Sequence, residues 1–306
     1  MFKRTIAIIL IFIVAFTSMA FAKNQTPSPI TPYALDAVPL NNEGQHHYLL
    51  LCTDQWDFNP NRLGNTDGIL LLTLDTRVKR VMLTSFSRDI LVQRPDGVIG
   101  RITFIAKNYG PDALCEIMST HFGVKIEKYI LFDMKHVENI IDHIGGVNIE
   151  VNNAEARYLK RYAIPRDSTV PQMDLEGKYL FDGHAAVIFM RIRKVGNGDY
   201  GRTQRVRTVL STIADKCKVM DKNQAEDLLG AIIDNIGLTN MSLADMFTAL
   251  GYALDLRGAE VKQLSIPSAD AHKIIMYAGM IVMDLDYEKA RKSIADFLGD
   301  SFLVVD

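Results

Sequence analysis

The sequence predicts an α/β fold, a mixed β-sheet sandwiched between helices in a single domain, and three observations carry that prediction. Apolar runs of strand length recur at residues 48–52, 68–74 and 80–86. Helical periodicity follows them and lies between strands, since 147, 149 and 151 alternate apolar again after two helical stretches. No repeat, low-complexity tract or second composition break interrupts residues 46–306. The chain has 306 residues, 48% of them hydrophobic, which is ample for a large core. Its 34 basic and 36 acidic side chains leave a net charge of −2. Such a chain has no global field to gather nucleic acid, so any anion must be held by a local cluster of Arg or Lys.

At the N-terminus, Lys3 and Arg4 precede eighteen uncharged residues ending in Ala20-Phe21-Ala22. That pattern reads as an export leader over residues 1–22, either cleaved after the small residues or kept as a membrane anchor. Both readings place the body outside the cytoplasm, anchored or released into the cell envelope. Residues 23–45 hold Pro27, Pro29, Pro32 and Pro39 among polar fillers and read as an extended linker. Cys52, Cys115 and Cys217 are too few for a disulfide framework and have no metal-ligand spacing.

Within the body, residues 68–74 and 80–86, joined through Asp75-Thr76-Arg77, read as a β-hairpin beside the strand at 48–52. Leu114, Ile117, Met118 and Phe122 share one helical face, as do Val137, Ile140, Ile141 and Ile144. Gly145-Gly146 then stops the second helix before the next strand. Both faces read as core, with an apolar ligand slot as the competing use. Further on, Leu228, Leu229, Ile232, Ile233 and Ile236 form another helical face and residues 261–266 another strand, read as scaffold.

The chemistry concentrates between residues 187 and 205. Read as a strand, this run projects Arg191 and Arg193 to one side. After the loop Gly196-Asn197-Gly198-Asp199-Tyr200-Gly201, a helix packs through Val206, Val209, Leu210 and Ile213 and carries Arg202 and Arg205 in its first turn. Cations there oppose the helix dipole, so a ligand anion is expected, held by backbone N–H groups and guanidinium forks. The competing reading is a solvated surface where Asp199 caps the helix and pairs with Arg.

Asp54 closes the first strand and Asp67 opens the second, with Asp57 competing as a ligand. Two carboxylates beside a diphosphate suit Mg²⁺, with Mn²⁺ as the alternative ion. Ser87-Arg88-Asp89 leaves the hairpin, and Arg101-Ile102-Thr103 follows the turn at Pro95-Asp96-Gly97, so Arg88 and Arg101 are placed to complete an anion pocket.

These motifs, in this order, resemble those of the LytR-CpsA-Psr family of bacterial envelope proteins. The likeness rests on Asp54, Asn65-Thr66-Asp67, Ser87-Arg88-Asp89, Arg101-Ile102-Thr103, Gly145-Gly146-Val147, Arg191-Ile192-Arg193 and Gly198-Asp199-Tyr200-Gly201-Arg202. The resemblance implies an Mg²⁺-dependent phosphotransferase that moves a glycopolymer, such as teichoic acid or capsule, from a polyprenyl-pyrophosphate carrier to peptidoglycan, with pyrophosphatase side activity. Asp54 and Asp67 then serve the metal. Arg88, Arg101, Arg191, Arg193, Arg202 and Arg205 hold the pyrophosphate. Arg88, Asp89, Asp199 and Arg202 stand at the reacting centre, where Asp89 or Asp199 takes the acceptor's proton.

Three positions depart from the family pattern: Asn65 replaces an Arg, Thr103 an Asn and Val206 a Gln. They favour the alternative of an envelope module that binds a polyprenyl phosphate without turnover. A third class, a transcription regulator, is opposed by the leader, the acidic balance and the lack of a helix-turn-helix with a basic recognition helix. No Gly-x-Ser-x-Gly elbow, P-loop or dinucleotide fingerprint is present.

Overall fold

A computed structural model of the chain describes residues 42–162, 175–196 and 198–299, with only the backbone of residues 198–200 and 203. The expected leader and most of the linker fall outside the described residues. Among the described residues no helix is long and apolar enough to cross a membrane.

In chain order, β1 (Gln45–Thr53), β2 (Thr66–Asp75) and β3 (Arg80–Phe86) open the domain. The small strands β4 (Leu91–Gln93) and β5 (Ile99–Arg101) follow, then helices α1 (Ile105–Tyr109) and α2 (Pro111–Phe122). Next come β6 (Lys128–Phe132), α3 (Met134–His143), β7 (Val147–Val151), α4 (Asn153–Tyr162), β8 (Gly177–Phe181) and α5 (Gly183–Arg191). The chain continues with α6 (Gly198–Cys217), α7 (Lys222–Asp234), β9 (Leu238–Thr239), α8 (Leu243–Asp255), β10 (Glu260–Ile266), β11 (His272–Tyr277), β12 (Met280–Leu285) and α9 (Tyr287–Leu298).

Six strands form the central sheet in the order β10-β3-β2-β1-β6-β9. β2 pairs antiparallel with β1 and β3, whereas β6 runs parallel to β1 and β10 parallel to β3, so the sheet is mixed as the sequence predicts. The hairpin β2–β3 and the glycine stop after α3 also match: Gly145 and Gly146 have φ of +72° and +77°. Val147, Ile149 and Val151 then face one core.

The period of two along β1 divides the molecule. Leu49 and Leu51 are buried and point, with Leu71 and Met82, into a core closed by α2 and α9 through Leu114, Met118, Phe122, Ile294 and Leu298. Leu50 and Cys52 lie on the opposite face, beside Leu70, Gly68, Ile130 and Phe132. Helices α7 and α8 cover that face near Tyr48 and Leu74, and a third apolar cluster joins α3, α4, α5 and α6 to β7 and β8.

One sequence reading is overturned. Residues 183–191 form helix α5, not a strand, so Arg191 and Arg193 do not share a strand face. Asp182 caps the helix by accepting the N–H of Ala185 at 2.8 Å, and Ala185 and Ala186 are strong helix formers. Ala185, Phe189 and Ile192 bury at helical spacing, which satisfies the apolar residues that also alternate. Helix α5 lies so close to α3 that a Cβ on Gly183 would stand 2.1 Å from the carbonyl oxygen of Glu138.

Candidate active site: an arginine cluster at the mouth of an apolar tunnel

Asp54 and Asp67 lie at adjacent ends of β1 and β2, where the register shifts after Cys52. Asp54 is held by its neighbour across the loop: Asn65 donates its backbone N–H to Oδ1 and its side-chain amide to Oδ2, both at 2.9 Å. Gly64 packs closely beside them, and a Cβ there would fall 2.4 Å from Asp54 Oδ1 and force that side chain or Gln55 to shift.

Asp67 gathers three arginines from distant parts of the chain. Arg88 Nη1, just past β3, donates to Oδ1 at 2.5 Å. Arg193 Nη2, beyond α5, and Arg202 Nη1, in α6, donate to Oδ2 at 3.3 and 3.2 Å. Three guanidinium groups against one carboxylate leave an excess of two positive charges. A second pair adjoins it: Arg101 Nη1 donates to Asp89 Oδ1 at 2.7 Å, and Arg88 Nε lies 3.8 Å from Asp89 Oδ2. Most of these side chains are only 10–19% exposed, whereas Arg193 is 43% exposed. A partly desolvated excess of positive charge with several fixed forks has the chemistry to hold a phosphate-bearing anion.

Arg191 ends α5 with its guanidinium 5.7 Å from the ring centre of Trp56, whose other neighbour is the His184 ring at 5.7 Å. Arg205 turns away from this cluster. It is 5% exposed, donates through Nε to Glu155 at 2.7 Å and through Nη1 and Nη2 to the carbonyls of Ile192 and Val195 at 2.9 and 2.7 Å. Three of its donors brace the α5–α6 connection, and the side chain does not join the arginines around Asp67 where the sequence reading put it. The side chain of Asp199 lies outside the described residues.

Behind the arginines opens an apolar tunnel of about 550 Å³. Asp67, Arg191 and Arg202 contribute to its lining, and the rest is chiefly hydrocarbon: Leu50, Leu70 and Phe132 from the sheet, Val137 and Ile140 from α3, Val206 and Leu210 from α6, Leu229 and Ile232 from α7, Leu250 and Leu254 from α8. The face of α3 therefore serves both core and tunnel. The face of α2 is core alone, on the other side of the sheet. Helix α7, expected as scaffold, and helix α8 form tunnel wall. Cys52 also lines it, and burial, reinforced by Asp133, Asp67 and Asp54, pushes its thiol up to about 12.

The three departures are satisfied locally. Asn65 serves Asp54, Thr103 donates to the carbonyl of Thr66 at 2.9 Å, and Val206 adds apolar wall. Among the described residues no three His, Cys, Asp or Glu side chains assemble as a metal site. Asp54 and Asp67 offer carboxylate oxygens at adjacent strand ends, a donor type that would suit Mg²⁺ arriving with phosphate oxygens rather than a metal held by protein alone.

A LytR_cpsA_psr family model matches residues 10–295. The chain belongs to this family. It is 30% identical over 231 residues to the polyisoprenyl-teichoic acid–peptidoglycan teichoic acid transferase TagU of Enterococcus faecalis, covering 74% of this chain and 71% of TagU. The biofilm regulatory protein A of Streptococcus mutans is 24% identical over 69% of this chain and 52% of its own length. The crystal structure of Bacillus subtilis TagV superposes with a TM-score of 0.66 at 19% identity, over 85% of this chain and all of that one. A structure of the family protein YwtF (TagT) with bound octaprenyl pyrophosphate gives 0.61 at 19% identity, over 84% and 91% of the two chains.

Proposed function

We propose that this LytR-CpsA-Psr protein is an extracytoplasmic phosphotransferase that moves a glycopolymer from a polyprenyl-pyrophosphate carrier to peptidoglycan. One observation carries the reading: an apolar tunnel whose lining includes Asp67, Arg191 and Arg202, so that hydrocarbon and anion sites are continuous. A polyprenyl pyrophosphate has the same two parts. Each methylene buried in the tunnel contributes about 0.8 kcal/mol, so the tail supplies affinity and the arginines supply register.

In the reaction, the acceptor hydroxyl oxygen bonds to the phosphorus that carries the polymer, and the bond from that phosphorus to polyprenyl phosphate breaks. A phosphodiester forms, polyprenyl phosphate leaves, and the hydroxyl proton passes to a carboxylate, Asp89 or Asp199. Arg88, Arg193 and Arg202 neutralise charge on the reacting phosphates, the largest service an enzyme renders to phosphoryl transfer. Arg101 orients Asp89 through their 2.7 Å contact. When bound, Mg²⁺ or Mn²⁺ adds Lewis-acid neutralisation of the pyrophosphate, with Asp54 and Asp67 as its protein ligands. Relatives named as teichoic acid transferases support transfer to peptidoglycan, and the apolar segment at residues 5–22 supports placement at the outer face of the membrane.

The test is release of polyprenyl phosphate by the full-length protein from a polyprenyl-pyrophosphate-linked sugar, with Mg²⁺ and with EDTA. Metal-dependent release that disappears in Asp67→Ala is expected. Binding without release would instead support the non-catalytic module that Asn65, Thr103 and Val206 favour.

A further inference from the structure

A second cavity, about 520 Å³ and of mixed lining, with Phe58 and Leu63 beside its polar groups, opens in the loop that joins β1 to β2. Its lining includes Gln55, Asp57, Asn59, Arg62 and Gly64 of that loop, with Lys107 of α1 opposite. We infer that this cleft is the subsite for the incoming saccharide, the one whose hydroxyl attacks; the inference rests on the transferase reading above.

Position is the first argument. At the end of β1, Cys52 lines the tunnel and Gln55, in the loop that follows, lines the cleft, with Thr53 and Asp54 between them; at the start of β2, Asp67 lines the tunnel and Gly64, in the loop before it, lines the cleft, with Asn65 and Thr66 between them. The bonded pair Asp54–Asn65 thus lies, along both chain segments, between residues that line one cavity and residues that line the other. In phosphoryl transfer the attacking and leaving oxygens lie roughly in line on opposite sides of phosphorus. Polyprenyl phosphate departs on the tunnel side, so the attacking hydroxyl arrives from the cleft side.

Construction is the second. The side chain of Gln55 is clamped at both ends, accepting the N–H of Gly64 at 2.6 Å and donating to the carbonyl of Arg62 at 2.9 Å, which sets the loop before any ligand arrives. Phe58 packs against Gly237, where a Cβ would stand 2.6 Å from its ring, and anchors the loop to the sheet edge. Chemistry is the third. Asp57 and Arg62 are exposed and have no side-chain partner among the described residues, and Lys107 Nζ reaches Asn65 Oδ1 at 3.3 Å. A carboxylate, an amide and two cations beside the apolar faces of Phe58 and Leu63 match the hydroxyl, acetamido and carboxylate groups and the sugar-ring faces of an amino-sugar glycan that carries a peptide.

The experiment measures binding to the full-length protein, in detergent, of three probes: a soluble disaccharide-peptide fragment of peptidoglycan, a bare polyprenyl pyrophosphate, and the same lipid bearing a sugar. Arg62→Ala and Lys107→Met change exposed side chains and leave core volume untouched. Each is expected to weaken the fragment about tenfold relative to the bare lipid, the loss of a charged hydrogen bond. A loss confined to the sugar-bearing lipid would assign the cleft to the donor and overturn the proposal. So would unchanged fragment binding in both variants, or a wild-type protein that binds no fragment. Wild-type protein that binds the fragment but neither lipid would overturn the transferase reading and leave the saccharide cleft standing.

Discussion

Arg202 Nη1 lies 3.2 Å from Asp67 Oδ2, tying the start of α6 to the start of β2 across 135 residues of sequence, while Arg202 Nη2 reaches the Asp67 carbonyl at 3.5 Å. The side chain of Arg202 is only 10% exposed, so it is part of the packed structure as well as of the anion site. Arg202→Ala is therefore expected to weaken polyprenyl-pyrophosphate binding at least tenfold and to lower stability by about 1–3 kcal/mol, because it removes a largely buried side chain and its two contacts to Asp67, although Arg88 and Arg193 still reach that carboxylate. Arg191→Ala, at an exposed position, is expected to weaken binding with no comparable loss of stability. Calorimetric titration and chemical denaturation of the two variants separate the effects.

Asp67 is surrounded by cations, and its replacement separates binding from turnover. Asp67→Asn keeps the shape and removes the one negative charge that Arg88, Arg193 and Arg202 share. In EDTA the variant is expected to bind bare polyprenyl pyrophosphate at least as tightly as the wild type, since the positive excess grows. Polyprenyl phosphate release with Mg²⁺ is expected to fall by about a hundredfold or more, as when a preorganised charge is lost from a transition state. Weaker binding in EDTA would mean that Asp67 serves to orient the arginines rather than the reaction.

The tunnel makes chain length a variable. Leu210 of α6 faces it, half-buried, and Leu210→Trp adds volume to empty space rather than to packed core. The variant is expected to fold with unchanged stability and to lose affinity for a long polyprenyl pyrophosphate by about tenfold or more, while a pyrophosphate with a five-carbon tail binds as before. Equal loss for both chain lengths would place the lipid elsewhere.

Much of this site is written in the sequence because charged residues at strand ends and helix starts have few other reasons to cluster. Asp54, Asp67, Arg88, Arg101 and Arg202 all fall where the local pattern places them, and the first three of the six sheet strands are readable from apolar runs and turn chemistry. The strand assigned to residues 187–193 fails because β-branched and aromatic residues that alternate can also satisfy a helix face, and the deciding signal, the Asp182 cap, lies upstream. Arg205 is misread for a related reason. A cation in an early helical turn looks like a ligand group until a buried acid, here Glu155 from α4, is brought to it by the fold. The tunnel is not legible at all: Leu228, Leu229 and Ile232 have the spacing of a core face, and whether that face meets another side chain or empty space is a property of the assembled layers. Trp56, two residues past Asp54, is the signal that points to the mouth, since a lone Trp in a polar loop needs a partner and finds Arg191 and His184.

The contact between α3 and α5 has no slack. Gly183→Ala would set a methyl group 2.1 Å from Glu138 O and 2.6 Å from its Cα, both backbone atoms that cannot rotate away. The helices must separate, and the expected cost is about 1–3 kcal/mol or more by chemical denaturation. Because Val137 and Ile140 of α3 and Met190 of α5 also line the tunnel, the same shift is expected to weaken lipid binding without touching any charged residue.

Stability on the other side of the sheet carries a pH signature. His47 is 8% exposed in the middle of β1, its Nδ1 2.8 Å from Thr73 Oγ1 and its Nε2 buried without a partner. Burial, with His46 adding repulsion, lowers its imidazole to about 4 from the usual 6.5, although Asp75 pulls the other way. The unfolded chain therefore binds a proton between pH 6.5 and 4 that the folded chain refuses, and stability rises with pH across that window. Below pH 4 both states are protonated and the penalty is complete, roughly 3 kcal/mol for a shift of this size. His47→Leu removes the titrating group and fills the same strand position with hydrocarbon. The expected result is that the variant gains on the wild type as pH falls from 7 to 4, by up to that amount, in parallel denaturation series. A constant difference across the range would mean that His47 is charged in the native protein, or that the opening of β1 lets water reach Nε2.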